Sequence, residues 1–181
     1  MSSGPSPSAL QAALGAAFER AIGPAFQGCL APERFARRVA PGVRGSTAAD
    51  ADAVARFRAA CRTEEWEASG LADADLWRHA YFEGDRITAM AGFRAWNEHA
   101  GGPCVLTHPD FRGSGHGTKV VRAVVANALS GGKLLLYQTL EANRAAVGLA
   151  LSLGYERYAR HIAVRLRSEA PESVRLRSDG D

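Results

Sequence analysis

Of the 22 basic side chains only two are lysines, Lys119 and Lys133, and the 181-residue chain has only three cysteines. Cys29, Cys61 and Cys104 are widely spaced and form no Cys-x-x-Cys pair. That excludes a zinc knuckle and a disulfide framework, so no metal site is expected and reduced thiols in a cytoplasmic protein are the default. No run of about 18 apolar residues exists, so no membrane-spanning helix and no membrane partner are expected. Met1 to Pro7 carry neither a basic start nor a long apolar stretch, so no secretory leader is expected there. Dense basic patches are lacking too. The net charge is only +3 and the arginines are spread along the chain, which argues against nucleic acid and suits an anionic small molecule.

What is there is ordinary globular composition, 46% hydrophobic and 23% charged, in a chain long enough to bury a core without staples. Residues 1–7 and 168–181 read as loose ends. Leu10, Leu14, Ala17, Phe18 and Ile22 form one stripe of a helix predicted over 8–22 and ended by Gly23-Pro24. A second short helix is predicted over 32–39. Pro41-Gly42 then separates an N-terminal helical arm, 1–41, from a main domain over 42–167, followed by a flexible tail over 168–181. The arm carries Phe18, Ile22, Phe26 and Phe35. It is too apolar to be free, and so packs on the domain, covers its site or swaps to a partner subunit.

Val43-Arg44 reads as a short strand, and Ser46 or Thr47 can cap a helix over about 48–62. The acidic, aromatic stretch Thr63 to Glu67 has no clear period. From residue 77 the period becomes two: a strand from Trp77 to Phe82, a turn at Glu83-Gly84-Asp85, a strand from Ile87 to Trp96 and a third from Pro103 to Thr107. Val120, Val121, Val124, Val125, Ala128 and Leu129 lie on one helical face closed by Gly131-Gly132. Leu134 to Tyr137 reads as a central strand covered on both faces. A helix with Ala146, Leu149 and Leu153 follows, then strands near 155–158 and 162–166. The pattern is a mixed α/β sheet with helices on its faces.

Between the third strand and the valine-rich helix lies Arg112-Gly113-Ser114-Gly115-His116-Gly117. Glycines at alternate positions bare the backbone, and a helix start adds unpaired amides and partial positive charge, a place for phosphate. A dinucleotide fingerprint would need glycine at position 118, where Thr118 stands, and a Walker loop would need Gly-Lys-Ser/Thr where Gly117-Thr118-Lys119 stands. Both fail on spacing.

Arg112-x-x-Gly115-x-Gly117, preceded by Val105-Leu106-Thr107-His108-Pro109-Asp110-Phe111, resembles the cofactor loop of the GNAT N-acetyltransferase superfamily. Asn143-x-x-Ala146-x-x-Leu149-x-x-x-Leu153-Gly154-Tyr155 resembles its second signature. The resemblance spans roughly 42–166. It implies a mixed, mostly antiparallel sheet flanked by helices, with the N-terminal arm as an addition. It also implies transfer of an acetyl group from acetyl coenzyme A to a primary amine by direct attack. The acceptor would be a small molecule or a peptide, and a homodimer is the base-rate expectation. By the same resemblance, Arg112, Gly113, Ser114, Gly115, His116, Gly117 and Thr118 cradle the pyrophosphate. Val105, Leu106 and Thr107 pair with the pantetheine arm, the Thr107 amide faces the thioester carbonyl, and Asn143 holds the pantetheine or positions the sulfur side.

The sequence departs from the family at Ala150, where many members carry a tyrosine as general acid. A general base is open among Glu65, Glu67, His108 and Glu141, the last of which suits helix capping better. Glu65 and Glu67 with Trp66 can hold a cationic amine by charge and cation–π contact; packing and solvation are their bland roles. His116 is equally a phosphate contact or a solvent-exposed loop residue. Cys104 reads as core rather than nucleophile. Small residues such as Gly148 and Ala150 can leave room for a longer acyl group, and a non-catalytic acyl coenzyme A sensor is the rival reading.

Overall fold

The computed structural model of the chain describes residues 6–72 and 78–167. Trp77, residues 1–5 and residues 168–181 lie outside the described residues; of the loose end predicted over 1–7, Ser6 caps and Pro7 opens α1. In chain order the elements are α1 (Pro7–Leu14), β1 (Phe18–Leu30), β2 (Val43–Gly45), α2 (Ala51–Ala60), α3 (Thr63–Ser69) and β3 (Arg78–Glu83). Then come β4 (Arg86–Ala95), β5 (Ala100–Thr107), α4 (His116–Ser130), β6 (Leu134–Leu140), α5 (Arg144–Ser152) and β7 (Tyr155–Leu166).

They build a seven-stranded sheet in the order β2-β3-β4-β5-β6-β1-β7. Every neighbouring pair is antiparallel except β5 and β6. That exception follows from chemistry: α4 carries the chain from β5 back across the sheet, and only such a crossover joins parallel strands. Valines 120, 121, 124 and 125 of α4 are fully buried. They pack with Ala89, Ala91 and Phe93 of β4 and with Ala150 and Leu153 in the larger core. The other face of β3 and β4 buries Ala80 and Met90 against Phe57 of α2 and Trp66 of α3. β4 is thus covered on both sides, and its burial is continuous from Ile87 to Phe93.

Thr47 and Asp50 start α2 with a reciprocal cap, the Thr47 amide donating to Asp50 Oδ2 at 2.8 Å. Arg44 pairs with the same carboxylate at 2.6 Å and, with the Thr47 amide, holds Asp50 far below the usual carboxylate range.

Several expectations are corrected. The first helix ends at Leu14, because Gly15 turns into positive φ (+52°). Residues 18–30 form a strand pairing with β6 on one side and β7 on the other. Gly23-Pro24, read as a helix stop, is a register shift inside that strand: Ile22 faces Ala163 and Ala25 faces His161. Proline tolerates a sheet at such an irregularity. The helix expected over 32–39 is a single 3-10 turn at Pro32–Arg34, after which Phe35 enters the core. Thr63 to Glu67, given no period, belongs to α3. β6 is covered on one face only, since Leu134 and Leu140 remain 51% and 45% exposed. The last two strands are one, β7.

Candidate functional site

The site begins with two strands that part. β5 and β6 pair only at Ala100↔Leu134 and Gly101↔Leu135. Gly102 stands at the fork, where an added Cβ would lie 2.4 Å from the Leu136 carbonyl oxygen. Pro103 follows, and it has no N–H to leave unpaired where the ladder ends.

The unpaired edge of β5 can be read from its pairing with β4. Register is unbroken from Ala89↔Thr107 to Ala95↔Gly101. The His108 amide donates to Thr88 O, and the Trp96 amide to Ala100 O, each at 2.9 Å. Strand alternation therefore turns the backbone groups of Leu106, Cys104 and Gly102 toward β4. Those of Val105 and Thr107 turn into the fork. The Leu106 backbone, expected to pair with a ligand arm, is thus turned toward β4, and the residue packs against the cluster of Phe57 and Met90.

A cleft of about 820 Å³ follows the fork. Glu65, Ala68 and Ser69 of α3 line one side, while the glycine loop, the start of α4 and Asn143 with Leu149 line the other. At its mouth Gly113 and Gly115 both hold φ of +79°, a left-handed geometry that side chains resist. This kink turns the loop into α4, whose first bond into the helix is Lys119 N–H to Gly115 O at 3.1 Å. The amides of His116, Gly117 and Thr118 precede that bond and point out of the helix start. Gly117 lies so close to β5 that a Cβ would be 2.8 Å from Thr107 Oγ1.

The predicted residues separate into those that reach this cleft and those that do not. Val105, Thr107, Arg112, Gly113, Gly115, Gly117, Thr118 and Asn143 line it. Ser114, in the same loop, bonds back to Phe111 O. Asn143 also caps α5, its Oδ1 accepting from the Ala146 amide at 3.1 Å. His116 lines the cleft at the helix start, but its ring is buried rather than solvent-facing. Nδ1 lies 2.9 Å from Thr88 Oγ1 and Nε2 lies 3.4 Å from a Glu83 carboxylate oxygen. Burial, then Lys119, lowers its pKa.

His108 does not face the cleft. Its ring packs 6.2 Å from Phe57 and 5.6 Å from Phe111, with nitrogens 3.2 Å from the Asp110 amide and 3.1 Å from Arg86. His108, expected as a candidate base, thus sits among packing partners outside the cleft lining. Glu65 does line the cleft, yet Arg62 at 2.9 Å and Arg112 at 2.8 Å hold it. Those hydrogen bonds push its pKa down to about 2, and so low a carboxylate is a poor proton acceptor near neutrality. Trp66 is buried, so the cation–π cage expected with Glu65 and Glu67 does not form around a ligand. Glu141 pairs with Arg157 and Arg160 instead of capping α5. Ala150 is buried in the core, so a tyrosine there would displace packing.

Some lining residues carried no motif. Arg94 and Trp96 reach the cleft by strand alternation with Gly102 and Cys104 across the ladder. Tyr137 of β6 lines it too, and burial pushes its phenol up to about 12. The signal available for them was the two-residue period of each strand, which needed the pairing partner to be read.

The pattern of the acetyltransferase (GNAT) family matches residues 51–155. The chain belongs to the GNAT acetyltransferase family. Its fold agrees: this GNAT chain superposes on a putative GNAT acetyltransferase from Novosphingobium aromaticivorans with a TM-score of 0.62 at 20% identity, covering 84% of this chain and 67% of that one. A GNAT acetyltransferase from Colwellia psychrerythraea gives 0.65 at 16% identity, covering 87% of this chain and 61% of that one. At such identities the likeness is one of fold, and the chain spans under two thirds of the second protein. No curated protein matches it. No helix among the described residues is long and apolar enough to cross a membrane.

Proposed function

We propose that this GNAT chain transfers an acetyl group from acetyl coenzyme A to an amine. The observation that carries the reading is the fork: the Val105 and Thr107 backbone groups lie unpaired by β6, directly beside the glycine-rich start of α4. An extended arm with amides can add to that edge as a strand does. Phosphates at its far end meet the first-turn amides of α4, the helix dipole and Arg112. The residues fit such a ligand, because Gly113 and Gly115 leave open space where side chains would stand.

In this reading the Thr107 amide is the donor for the thioester oxygen as it turns negative, and the Val105 amide, two residues back along the strand, pairs with the pantetheine arm. The cleft holds the two reactants side by side, which supplies much of the rest of the acceleration. Glu65 is held by two guanidiniums and His108 faces away, so the acceptor's ammonium proton leaves through water. The rate constant kcat/KM should then climb with pH toward the acceptor's own pKa. It should show no inflection from an enzyme group between about pH 6 and 8.

The test is calorimetric titration with acetyl coenzyme A beside a Gly115→Glu variant, followed by thiol release across an amine panel. Saturable binding lost in the variant, with turnover on at least one amine, supports the reading. No binding by the folded protein overturns it. Binding without turnover on any amine favours the rival, a non-catalytic acyl coenzyme A sensor, for which the burial of Ala150 and the engaged Glu65 speak.

A further inference from the structure

Arg112 is the one motif residue whose side chain leaves its own loop and crosses the cleft mouth. Its Nη2 donates to Glu65 Oε2 at 2.8 Å, and its Nε reaches Thr107 O at 3.5 Å. Glu65 is gripped from behind by Arg62, which donates to Oε1 at 2.9 Å. One carboxylate thus joins two cations, and the trio keeps a net charge of +1. The Arg112 side chain is 47% exposed, against 20% for Glu65. The Nη1 hydrogens of Arg112 have no partner among the described residues. An arginine this exposed samples many rotamers when unanchored, and ordering it on a ligand costs free energy. Anchored at Nε and Nη2, it has already met that cost and still offers donors beside the amides of α4.

We propose that Glu65 is a positioning residue that holds Arg112 at the mouth of the fork for the phosphates of the acyl donor. This rests on the acetyl coenzyme A reading above. It replaces the general-base role with one the geometry permits: the carboxylate acts through Arg112. It also ties α3, whose Ala68 and Ser69 line the opposite side of the cleft, to the state of the phosphate site.

The experiment is calorimetric titration of the full chain and its Glu65→Gln, Arg112→Ala and double variants. The three probes are coenzyme A, dephospho-coenzyme A and pantetheine, which lacks the phosphates. Glu65→Gln should weaken both phosphate-bearing probes about tenfold, the worth of one charge-assisted hydrogen bond. Pantetheine should bind all variants as it binds the wild type, and the double variant should be no weaker than Arg112→Ala alone. Unchanged binding of coenzyme A to Glu65→Gln overturns the proposal. Tighter binding overturns it as well, because Glu65 would then compete with phosphate for Arg112. Equal loss of pantetheine marks a collapse of α3 rather than positioning, and also overturns it. A wild type that binds none of the probes overturns the donor reading itself, a result distinct from the other three.

Discussion

At Gly115 the backbone holds φ of +79° with nothing within 4 Å of where a Cβ would stand. An alanine there meets no neighbour, so its cost is conformational, about 1–2 kcal/mol. Gly115→Ala should lower Tm by several degrees, readable by calorimetry, since about 2–4 °C accompanies each kcal/mol in a chain of this size. Glu65 gives a second residue-scale prediction. Its carboxyl falls from the usual 4.5 to about 2 on folding, through the Arg62 and Arg112 hydrogen bonds. A depressed folded value means the stabilisation is complete above pH 4.5 and is lost as pH falls toward 2. The stability gap between wild type and Glu65→Gln should therefore close over that window in denaturant titrations. A gap that persists to pH 2 would contradict the ion pairs. The glycine pattern and Arg112 were legible in the sequence because they sit within one short segment. The engagement of Glu65 by Arg112 was not, because the two are 47 residues apart.

β1 is the element that sequence pattern misplaced. Leu14 of α1 and Phe18 and Ile22 of β1 recur at helical spacing, and Gly23-Pro24 is a strong breaker signal. The tertiary structure overrides both: Phe26 is 1% exposed within a strand flanked by β6 and β7. Phe26→Ala should cost about 3–5 kcal/mol in unfolding free energy, whereas a residue on a loosely attached arm would cost little. At the fork, Gly102→Ala puts a Cβ into the Leu136 carbonyl. It should cost about 1–3 kcal/mol and weaken acetyl coenzyme A binding by shifting β5 against β6. Unchanged affinity together with unchanged stability would show that the fork does not depend on that contact. α4 and β4, by contrast, were read correctly in kind and nearly in extent. The valine stripe of α4 coincides with what the fold buries, while β4, read with a period of two, is buried on both faces from Ile87 to Phe93.

For the molecule as a whole, the segment before Gly42 divides at Gly15. α1 buries no residue, while β1 completes the half of the sheet that carries β6, α5 and β7. Deleting residues 1–14 should leave soluble protein with nearly wild-type Tm. Deleting 1–30 should leave insoluble or molten protein, because β6 and β7 lose their shared neighbour and expose two unpaired edges. Circular dichroism and size exclusion would read both. A folded 31–181 fragment would mean that β7 can close directly on β6.

The sequence by itself determined the family, the mixed sheet, the crossover from β5 to β6 and the glycine-rich turn into α4. Each depends on spacing within a few tens of residues, through periodicity or local backbone preference. The tertiary structure decided which strand fills the gap between β6 and β7, which β5 amides face the fork, and whether Glu65 and His108 are free to move protons. These depend on pairing register and on partners far apart in the chain. A one-residue change of parity turns a backbone group from fork to ladder, and only the assembled sheet sets that parity.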